Sequence, residues 1–181
     1  MAIIVVGGSG RGVGKTALVC GLIAALPEFR WTAVKITGHE HGKPEPVWEE
    51  TITGQGSDTA RYLAAGAERA LLVAAPGDDF AVLLKELWVK TGPGAHVLFE
   101  SNRILDHLKP DICLAVDGGP LIERKPSFAV VMERVDAIVA SADRDGVVEG
   151  KRPRFVLADM NRISPEMVDW LRERLKFPEV A

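Results

Sequence analysis

The chain has 181 residues, a formal net charge of −3 and a hydrophobic content of 47%. This length and composition predict a single globular domain with one core, and the weak negative charge gives no electrostatic reason to expect a nucleic-acid partner. No basic segment precedes the first apolar run, and no run approaches the roughly 18 residues of a membrane-spanning helix, so we expect neither a signal peptide nor a membrane partner.

The two cysteines indicate a reducing compartment. Cys20 and Cys113 each lie within a short apolar run. Buried, reduced thiols account for both more simply than a disulfide or a metal site does. We therefore expect a cytoplasmic protein.

Short apolar strands alternate with helical segments along the chain. The predicted strands are residues 2–6, 32–37, 69–75, 95–99, 111–116, 137–140 and 155–158. The predicted helices are residues 16–26, 57–66, 78–90, 103–108 and 127–134, with a closing helix that begins at Ser164. This alternation indicates an α/β fold with a mostly parallel sheet of about seven strands and helices on both faces.

A long loop insertion, residues 38–57, interrupts the alternation. Most of it, GHEHGKPEPVWEETITGQG, is rich in glycine and proline and has no helical period. Residues 47–53 alternate enough to predict a small hairpin. His39 and His41 form either half of a metal site or part of a solvated loop. The insertion as a whole is either a surface excursion or a substrate-binding or switch segment.

The turn between the first strand and the first helix is rich in glycine. It runs Ser9, Gly10, Arg11, Gly12, Val13, Gly14, Lys15, Thr16 and Ala17. Apart from Ser9 in the place of the first glycine, it matches the phosphate-binding pattern G-x-x-x-x-G-K-[ST]. Glycine lets successive peptide N–H groups converge on an anion, and the N-terminus of the following helix adds partial positive charge. We predict that these residues bind the phosphates of a nucleotide; the alternative is an ordinary turn that uses glycine for packing.

Two residues of this turn have further predicted roles. Lys15 is expected to reach the outer phosphates and, as a catalytic residue, to stabilise the charge of the transferring group. Thr16 is expected to ligate Mg²⁺ through its hydroxyl. Together they predict a Mg²⁺–nucleoside triphosphate site.

Three charged residues outside the turn are candidates for the same site, because ligands of open α/β sheets lie beyond the carboxyl ends of the strands. Glu100 directly follows the strand 95–99 and is predicted to hold Mg²⁺ or to orient the attacking group, the alternative being a surface position. Asp58 opens a helix and either caps it or coordinates Mg²⁺. Lys35 lies within the second strand and either binds the anion or sits at an exposed edge.

The identity of the base stays open. The guanine-reading motif Asn-Lys-x-Asp is absent. Residues 141–143 and 159–161 each follow a predicted strand and offer polar groups to a base, and the turn at 117–120 follows another strand at the same edge. On these residues alone, GTP and ATP are both compatible with the site.

Several of these segments together resemble one known family. Gly8–Thr16, Val34-Lys35 with the two histidines, residues 58–67 and Phe99-Glu100 are similar to the MobB-like accessory GTP-binding proteins of molybdopterin-guanine dinucleotide biosynthesis. The resemblance covers roughly residues 2–118. It implies a three-layer P-loop NTPase fold of the SIMIBI type and Mg²⁺-dependent GTP binding with slow hydrolysis. It also implies a partner protein of molybdenum cofactor biosynthesis and, often, a homodimer.

A second family resembles the turn alone. The loop of dethiobiotin synthetases, Gly-Thr-x-Thr-x-Val-Gly-Lys-Thr, is similar to residues 8–16. That resemblance implies an ATP-dependent synthetase or kinase that activates a carboxylate on a small molecule. A third alternative is an adaptor that binds a nucleotide without hydrolysing it. Residues 124–127, Arg-Lys-Pro-Ser, lie beyond the resemblance and are open to another substrate.

Overall fold

The computed structural model describes residues 1–39, 42–76, 80–119, 123–144 and 152–175. His41, the predicted helix start at Asp78 and the last residue of the turn at 117–120 lie outside these ranges. Among the described helices, none is long and apolar enough to cross a membrane.

In the described part of the chain, eight strands form one sheet. They are β1 (Ile3–Gly8), β2 (Thr32–Thr37), β3 (Val47–Glu50), β4 (Arg69–Ala74), β5 (Val97–Glu100), β6 (Ile112–Asp117), β7 (Ala137–Ser141) and β8 (Arg154–Leu157). Their order is β3-β4-β2-β5-β1-β6-β7-β8, and every neighbouring pair is parallel except β3 with β4. The prediction of an α/β fold with a mostly parallel sheet is confirmed.

Five α-helices of the described ranges pack on the two faces of the sheet. They are α1 (Lys15–Ala25), α2 (Asp58–Ala64), α3 (Phe80–Thr91), α4 (Phe128–Arg134) and α5 (Pro165–Arg174). One core cluster holds buried residues of α1, α2 and α5, and the other holds buried residues of α3 and α4. The predicted helix at 103–108 is a short 3₁₀ helix, Arg103–Asp106. Cys20 and Cys113 are buried free thiols, as predicted.

The strand β3 differs from the hairpin that was predicted for residues 47–53. Val47–Glu50 is one strand that pairs antiparallel with β4, so the prediction of a local hairpin is wrong. The reason is tertiary: fully buried Val47 joins the core, and its carbonyl oxygen accepts a hydrogen bond of 2.6 Å from Lys90 of α3. With β3 the sheet has eight strands, whereas the sequence predicted about seven.

The end of β3 is tied to the start of α2. The carboxylate of Glu50 accepts hydrogen bonds from Ser57 Oγ at 3.1 Å and Thr59 Oγ1 at 3.2 Å. It also accepts the backbone N–H groups of Thr51 and Ile52, both at 3.2 Å. These contacts of Glu50 hold residues 51–57, the last part of the loop insertion, against the first turn of α2.

Candidate functional site

The conformation of the glycine-rich turn depends on Gly14 within it and on Gly8 at the end of β1. Gly14 has φ of 104°, in the left-handed region, and a Cβ there would lie 3.2 Å from Met160 Cγ. A Cβ on Gly8 would lie 2.8 Å from Lys15 Cδ, because the lysine side chain runs back across the end of β1. Lys15 Nζ donates to the Gly10 carbonyl oxygen at 2.6 Å. The glycines therefore place the Lys15 ammonium against the loop.

Ser9, which replaces the first glycine of the motif, connects the turn to the neighbouring segments through hydrogen bonds. Its side chain is fully buried, and its hydroxyl accepts a hydrogen bond of 2.9 Å from the Gly118 N–H. Its backbone N–H donates to Val116 O at 3.0 Å, and its carbonyl accepts from Lys125 N–H at 2.9 Å. A glycine could not make the hydroxyl contact, so this serine joins the turn to the end of β6.

The turn opens into a cleft of about 740 Å³ at the carboxyl ends of β1, β2 and β5. The predicted site residues that line it are Arg11, Gly12, Gly14, Lys15, Thr16, Ala17, Lys35, Asp58 and Glu100. Three others, Ser9, Gly10 and Val13, form the support of the turn without lining the cleft. Sequence reasoning missed further lining residues, among them Arg61, Asn102, Arg103, Asp106 and Lys125.

Glu100, the last residue of β5, is the centre of the site. Only 3% of the residue is exposed, which excludes the surface alternative. Its Oε2 accepts hydrogen bonds from Thr16 Oγ1 at 2.7 Å and from the Tyr62 hydroxyl. Its Oε1 accepts from Lys35 Nζ. The carboxylate therefore receives donors from α1, α2 and β2 at one point.

Lys35 joins two carboxylates. Its Nζ lies 2.9 Å from Asp58 Oδ2 and also forms an ion pair with Glu100. It belongs to β2, which lies between β4 and β5, so the exposed-edge alternative is excluded. Burial favours a lower pKa for Lys35, but Glu100 and Asp58 outweigh it and raise the pKa above its usual value. The ammonium is therefore protonated at neutral pH.

Asp58 does not cap its helix. Ser57 is the capping residue of α2, because its hydroxyl accepts the Ala60 N–H at 3.0 Å. The capping interpretation of Asp58 is therefore wrong. Asp58 is the first helical residue, and its carboxylate contacts Lys35 and, at 3.7 Å, Arg61.

Tyr62 is a site residue that sequence reasoning missed. It is fully buried, and its hydroxyl donates to Glu100. Burial and then the negative charge of Glu100 raise the pKa of Tyr62 well above its usual value, so the hydroxyl stays a proton donor. The available signal was helical spacing: Tyr62 follows Asp58 by four residues, which places both on one face of α2.

Removal of this hydroxyl gives a prediction for stability. In Tyr62→Phe the Glu100 carboxylate loses one donor, and a hydrogen bond to a charged group contributes about 1.5–3 kcal/mol. We expect the free energy of unfolding to fall by about 2 kcal/mol, which lowers Tm by roughly 4–8 °C. Chemical and thermal denaturation measure both quantities. In a Glu100→Gln background the loss should shrink by about half, because a neutral acceptor makes a weaker bond. An equal loss in both backgrounds contradicts the assignment.

Lys15 is held in a less favourable environment than Lys35. Burial, the largest cause, lowers the pKa of Lys15 below its usual value, although the charge of Glu100 acts in the opposite direction. Lys15 donates a hydrogen bond to a neutral carbonyl oxygen, that of Gly10. An anion in the cleft would stabilise this ammonium.

Asn102 connects the turn to the segment before α4. Its Oδ1 accepts from Gly8 N–H at 2.8 Å, and its Nδ2 donates to Gly8 O and Ser127 Oγ, both at 3.1 Å. The sequence offered the segment 124–127 as a binding segment for another substrate. Two of its residues, Lys125 and Ser127, line the same cleft as the glycine-rich turn.

Two positions at the mouth of the cleft contact each other. Arg11 Nη2 donates to His39 Nε2 at 2.6 Å, and both residues line the cleft. His41 lies outside the described residues, so the metal-binding alternative for the histidine pair stays a prediction. Within the described ranges, no three His, Cys, Asp or Glu side chains come together to hold a metal ion.

The segments suggested for base recognition do not line the cleft where they are described. Met160 packs against Gly14, and Asp159 Oδ1 accepts the Asn161 N–H at 2.9 Å. Ser141 donates to Asp143, two residues further along the chain. Asp117 is buried and accepts a hydrogen bond of 3.4 Å from Arg124. These side chains make local contacts that leave the identity of the base open.

The described residues fit a magnesium ion. The hydroxyl of Thr16 and the carboxylates of Glu100 and Asp58 are joined through direct contacts with each other or with Lys35. Mg²⁺ takes oxygen ligands and is usually bound through one or two carboxylates together with phosphate oxygens and water. These groups supply that donor set beside the glycine-rich turn.

Comparisons with known proteins show what the fold is similar to. No protein-family profile matches the sequence, and no curated protein matches it significantly. A MobB protein homologue from Bacillus stearothermophilus has a similar structure, with a TM-score of 0.50 and 19% identity over 96% of this chain and 97% of that one. LpxK from Aquifex aeolicus, solved in complex with ATP, has a TM-score of 0.54 and 17% identity over 86% of this chain.

The extent of the two matches differs. This chain spans about half of LpxK, 53% of its length, but nearly all of the MobB homologue. At these identities the likeness shows the fold alone. The chain shares its α/β fold with these two proteins, and the resemblance to MobB-like proteins is confirmed as a likeness of fold.

Proposed function

We propose that this chain binds a purine nucleoside triphosphate together with Mg²⁺ in the cleft and hydrolyses it slowly, with GTP preferred over ATP. The observation that carries the proposal is the hydrogen bond of 2.7 Å from Thr16 Oγ1 to Glu100 Oε2. It joins the last residue of the motif to a buried carboxylate and leaves the lone pairs of the hydroxyl for a metal ion. A turn that serves packing alone has no use for a carboxylate buried against this hydroxyl.

The residues of the chain have separate roles in this proposal. Lys15 and the amides of the turn neutralise the phosphates, and Thr16, Glu100 and Asp58 hold the metal ion. When bound, Mg²⁺ supplies positive charge that stabilises the transferring phosphoryl group. Glu100 accepts the hydrogen bond of the Thr16 hydroxyl, so its carboxylate lies where it can hold a metal ion that the same hydroxyl ligates.

The finer role that we propose is accessory. The fold likeness to the MobB homologue over almost the whole of both chains supports a role in molybdenum cofactor biosynthesis. In this role the chain acts as a single nucleotide-binding domain. It contacts a partner protein of the pathway and assembles as a homodimer.

A second candidate is an ATP-dependent synthetase or kinase. One observation favours it: the cleft continues past the proposed phosphate-binding residues to His39, Arg103 and Asp106, which leaves room for a second reactant. The structural likeness to LpxK, which was solved with ATP, is compatible with this alternative.

Thermal denaturation with Mg-GTP and Mg-ATP tests the proposal. A ligand at 100 times its Kd adds about 2.7 kcal/mol to the free energy of unfolding, so we expect Tm to rise by roughly 5–11 °C. The rise should be larger with GTP, smaller when EDTA replaces Mg²⁺, and accompanied by slow phosphate release. A response chiefly to ATP, with turnover that depends on a second small molecule, supports the second candidate. No shift with either nucleotide contradicts both.

A further inference from the structure

The ammonium group of Lys35 occupies a position between two carboxylates. It lies 2.9 Å from Asp58 Oδ2 and forms a hydrogen-bonded ion pair with Glu100 Oε1. These two carboxylates, with the Thr16 hydroxyl that also contacts Glu100, are the oxygen ligands of the proposed metal site. The Lys35 ammonium therefore already pairs with both carboxylates of the proposed metal site.

The position of Lys35 is set by the sheet. Its backbone pairs with Leu72 of β4 and Glu100 of β5, so the side chain begins in the interior of the sheet. The side chain of Lys35 is only partly exposed, with 21% of its surface accessible. An ammonium in this place that loses both carboxylates keeps little water around it, and a partly buried charge without a partner is unfavourable.

The same cleft offers Lys35 a second partner when a polyphosphate is present. Lys35 and Lys15 both line the cleft, and the positive charge of Lys35 contributes to lowering the pKa of Lys15. A polyphosphate bound against the glycine-rich turn brings several negative oxygens into this space. The ammonium can then leave the carboxylates without becoming unpaired.

We propose that Lys35 is an internal counter-ion that competes with divalent cations for Asp58 and Glu100, so that metal binding depends on a bound polyphosphate. The inference rests on the proposed function for the identity of that polyphosphate, a nucleoside triphosphate. Its central claim, competition between one lysine and a metal ion, concerns the protein without nucleotide. Lys35 is thereby a positioning residue that sets the order in which metal and nucleotide bind.

Titration of Mn²⁺ into the nucleotide-free protein, followed by electron paramagnetic resonance, tests the competition directly. In Lys35→Met the side chain keeps its length and loses its charge. A neighbouring charge changes the affinity of a site for a proton by about 10- to 1000-fold, so we expect Mn²⁺ to bind at least about 10-fold more tightly than to the wild-type protein. Added Mn²⁺ should also raise Tm of this variant and leave that of the wild type unchanged.

Matched variants separate competition from a general structural effect. Lys35→Arg keeps the positive charge and should bind Mn²⁺ as weakly as the wild type. Lys35→Met combined with Asp58→Asn should lose the gain, because one of the two carboxylates is gone. If Lys35→Met does not fold, Lys35→Gln serves instead, since its amide still donates to a carboxylate but carries no charge.

The outcomes distinguish this inference from the proposed function. Equal Mn²⁺ affinity in the wild type and the uncharged variant overturns the inference, even where Mg-GTP stabilises the wild type as proposed. Tighter Mn²⁺ binding by the uncharged variant supports it, even where no nucleotide binds and the proposed function fails. Tight Mn²⁺ binding by the nucleotide-free wild type also overturns it.

Discussion

Glu100→Gln is expected to lower the free energy of unfolding by about 3 kcal/mol, the lower end of the range for breaking a buried ion pair. Glutamine can still accept from Thr16 and Tyr62 through its oxygen, but its NH₂ group then faces the Lys35 ammonium, which is also a donor. The loss stays at the lower end because Asp58 still lies 2.9 Å from that ammonium. The corresponding fall in Tm is roughly 6–12 °C.

The same variant should lose the effect of magnesium on nucleotide binding. Loss of a group that orients a metal ligand typically lowers metal affinity by about 10- to 100-fold, and we expect at least that change in the Mg²⁺ concentration needed for stabilisation by GTP. Calorimetric titration at a series of Mg²⁺ concentrations measures it. Asp106→Asn, which removes one negative charge from the same cleft, is the matched control and should leave both stability and the Mg²⁺ requirement nearly unchanged. Identical behaviour of the two variants contradicts the central role of Glu100.

Lys15→Met is expected to remove the response to nucleotide without destabilising the free protein. Burial disfavours the Lys15 ammonium, as its lowered pKa indicates, and the ammonium donates to a neutral backbone carbonyl oxygen. The free energy of unfolding should therefore stay the same or rise slightly. The charge that neutralises the phosphates is lost, so the nucleotide-induced rise in Tm should vanish. Any hydrolysis should fall at least about 100-fold, the typical loss for one group that stabilises charge in the transition state.

The matched control for this variant is Lys85→Met on the exposed surface of α3, which removes the same charge from a residue that does not line the cleft. It should keep the full response to nucleotide. Thermal denaturation and phosphate release, measured on both variants at equal nucleotide concentration, provide the comparison. If Lys15→Met still responds as the wild type does, the turn has only a packing role.

Much of the site could be predicted because its central motif is contiguous in the chain. The pattern from Ser9 to Thr16 predicted a strand, a tight turn and a helix start, and the structure places β1, the turn and α1 there. The rule that ligands lie beyond the carboxyl ends of parallel strands drew attention to Lys35 and Glu100, which are paired partners in neighbouring strands. Local pattern and a general rule of sheet topology were enough for these residues.

Other residues could not be predicted because their roles depend on contacts between distant segments. Tyr62 reaches Glu100 across 38 positions, and Asn102 reaches the Gly8 backbone across 94. From the sequence alone, Tyr62 fits a core position on an apolar helix face and Asn102 fits a loop position after a strand, so neither is identified as a site residue. Ser9 is similar: its hydroxyl contact with Gly118 spans 109 positions and explains the departure from the motif only once β6 is in place.

The sequence by itself determined the alternation of strands and helices, the phosphate-binding turn and the charged residues at the strand ends, because each depends on neighbours within a few positions. Only the tertiary structure decided that Val47–Glu50 joins the outer edge of the sheet and that Ser57, not Asp58, caps α2. It also decided that one buried carboxylate receives Thr16, Lys35 and Tyr62 together. The physical reason is that burial and charge pairing depend on which segments meet in space, and no local pattern records that.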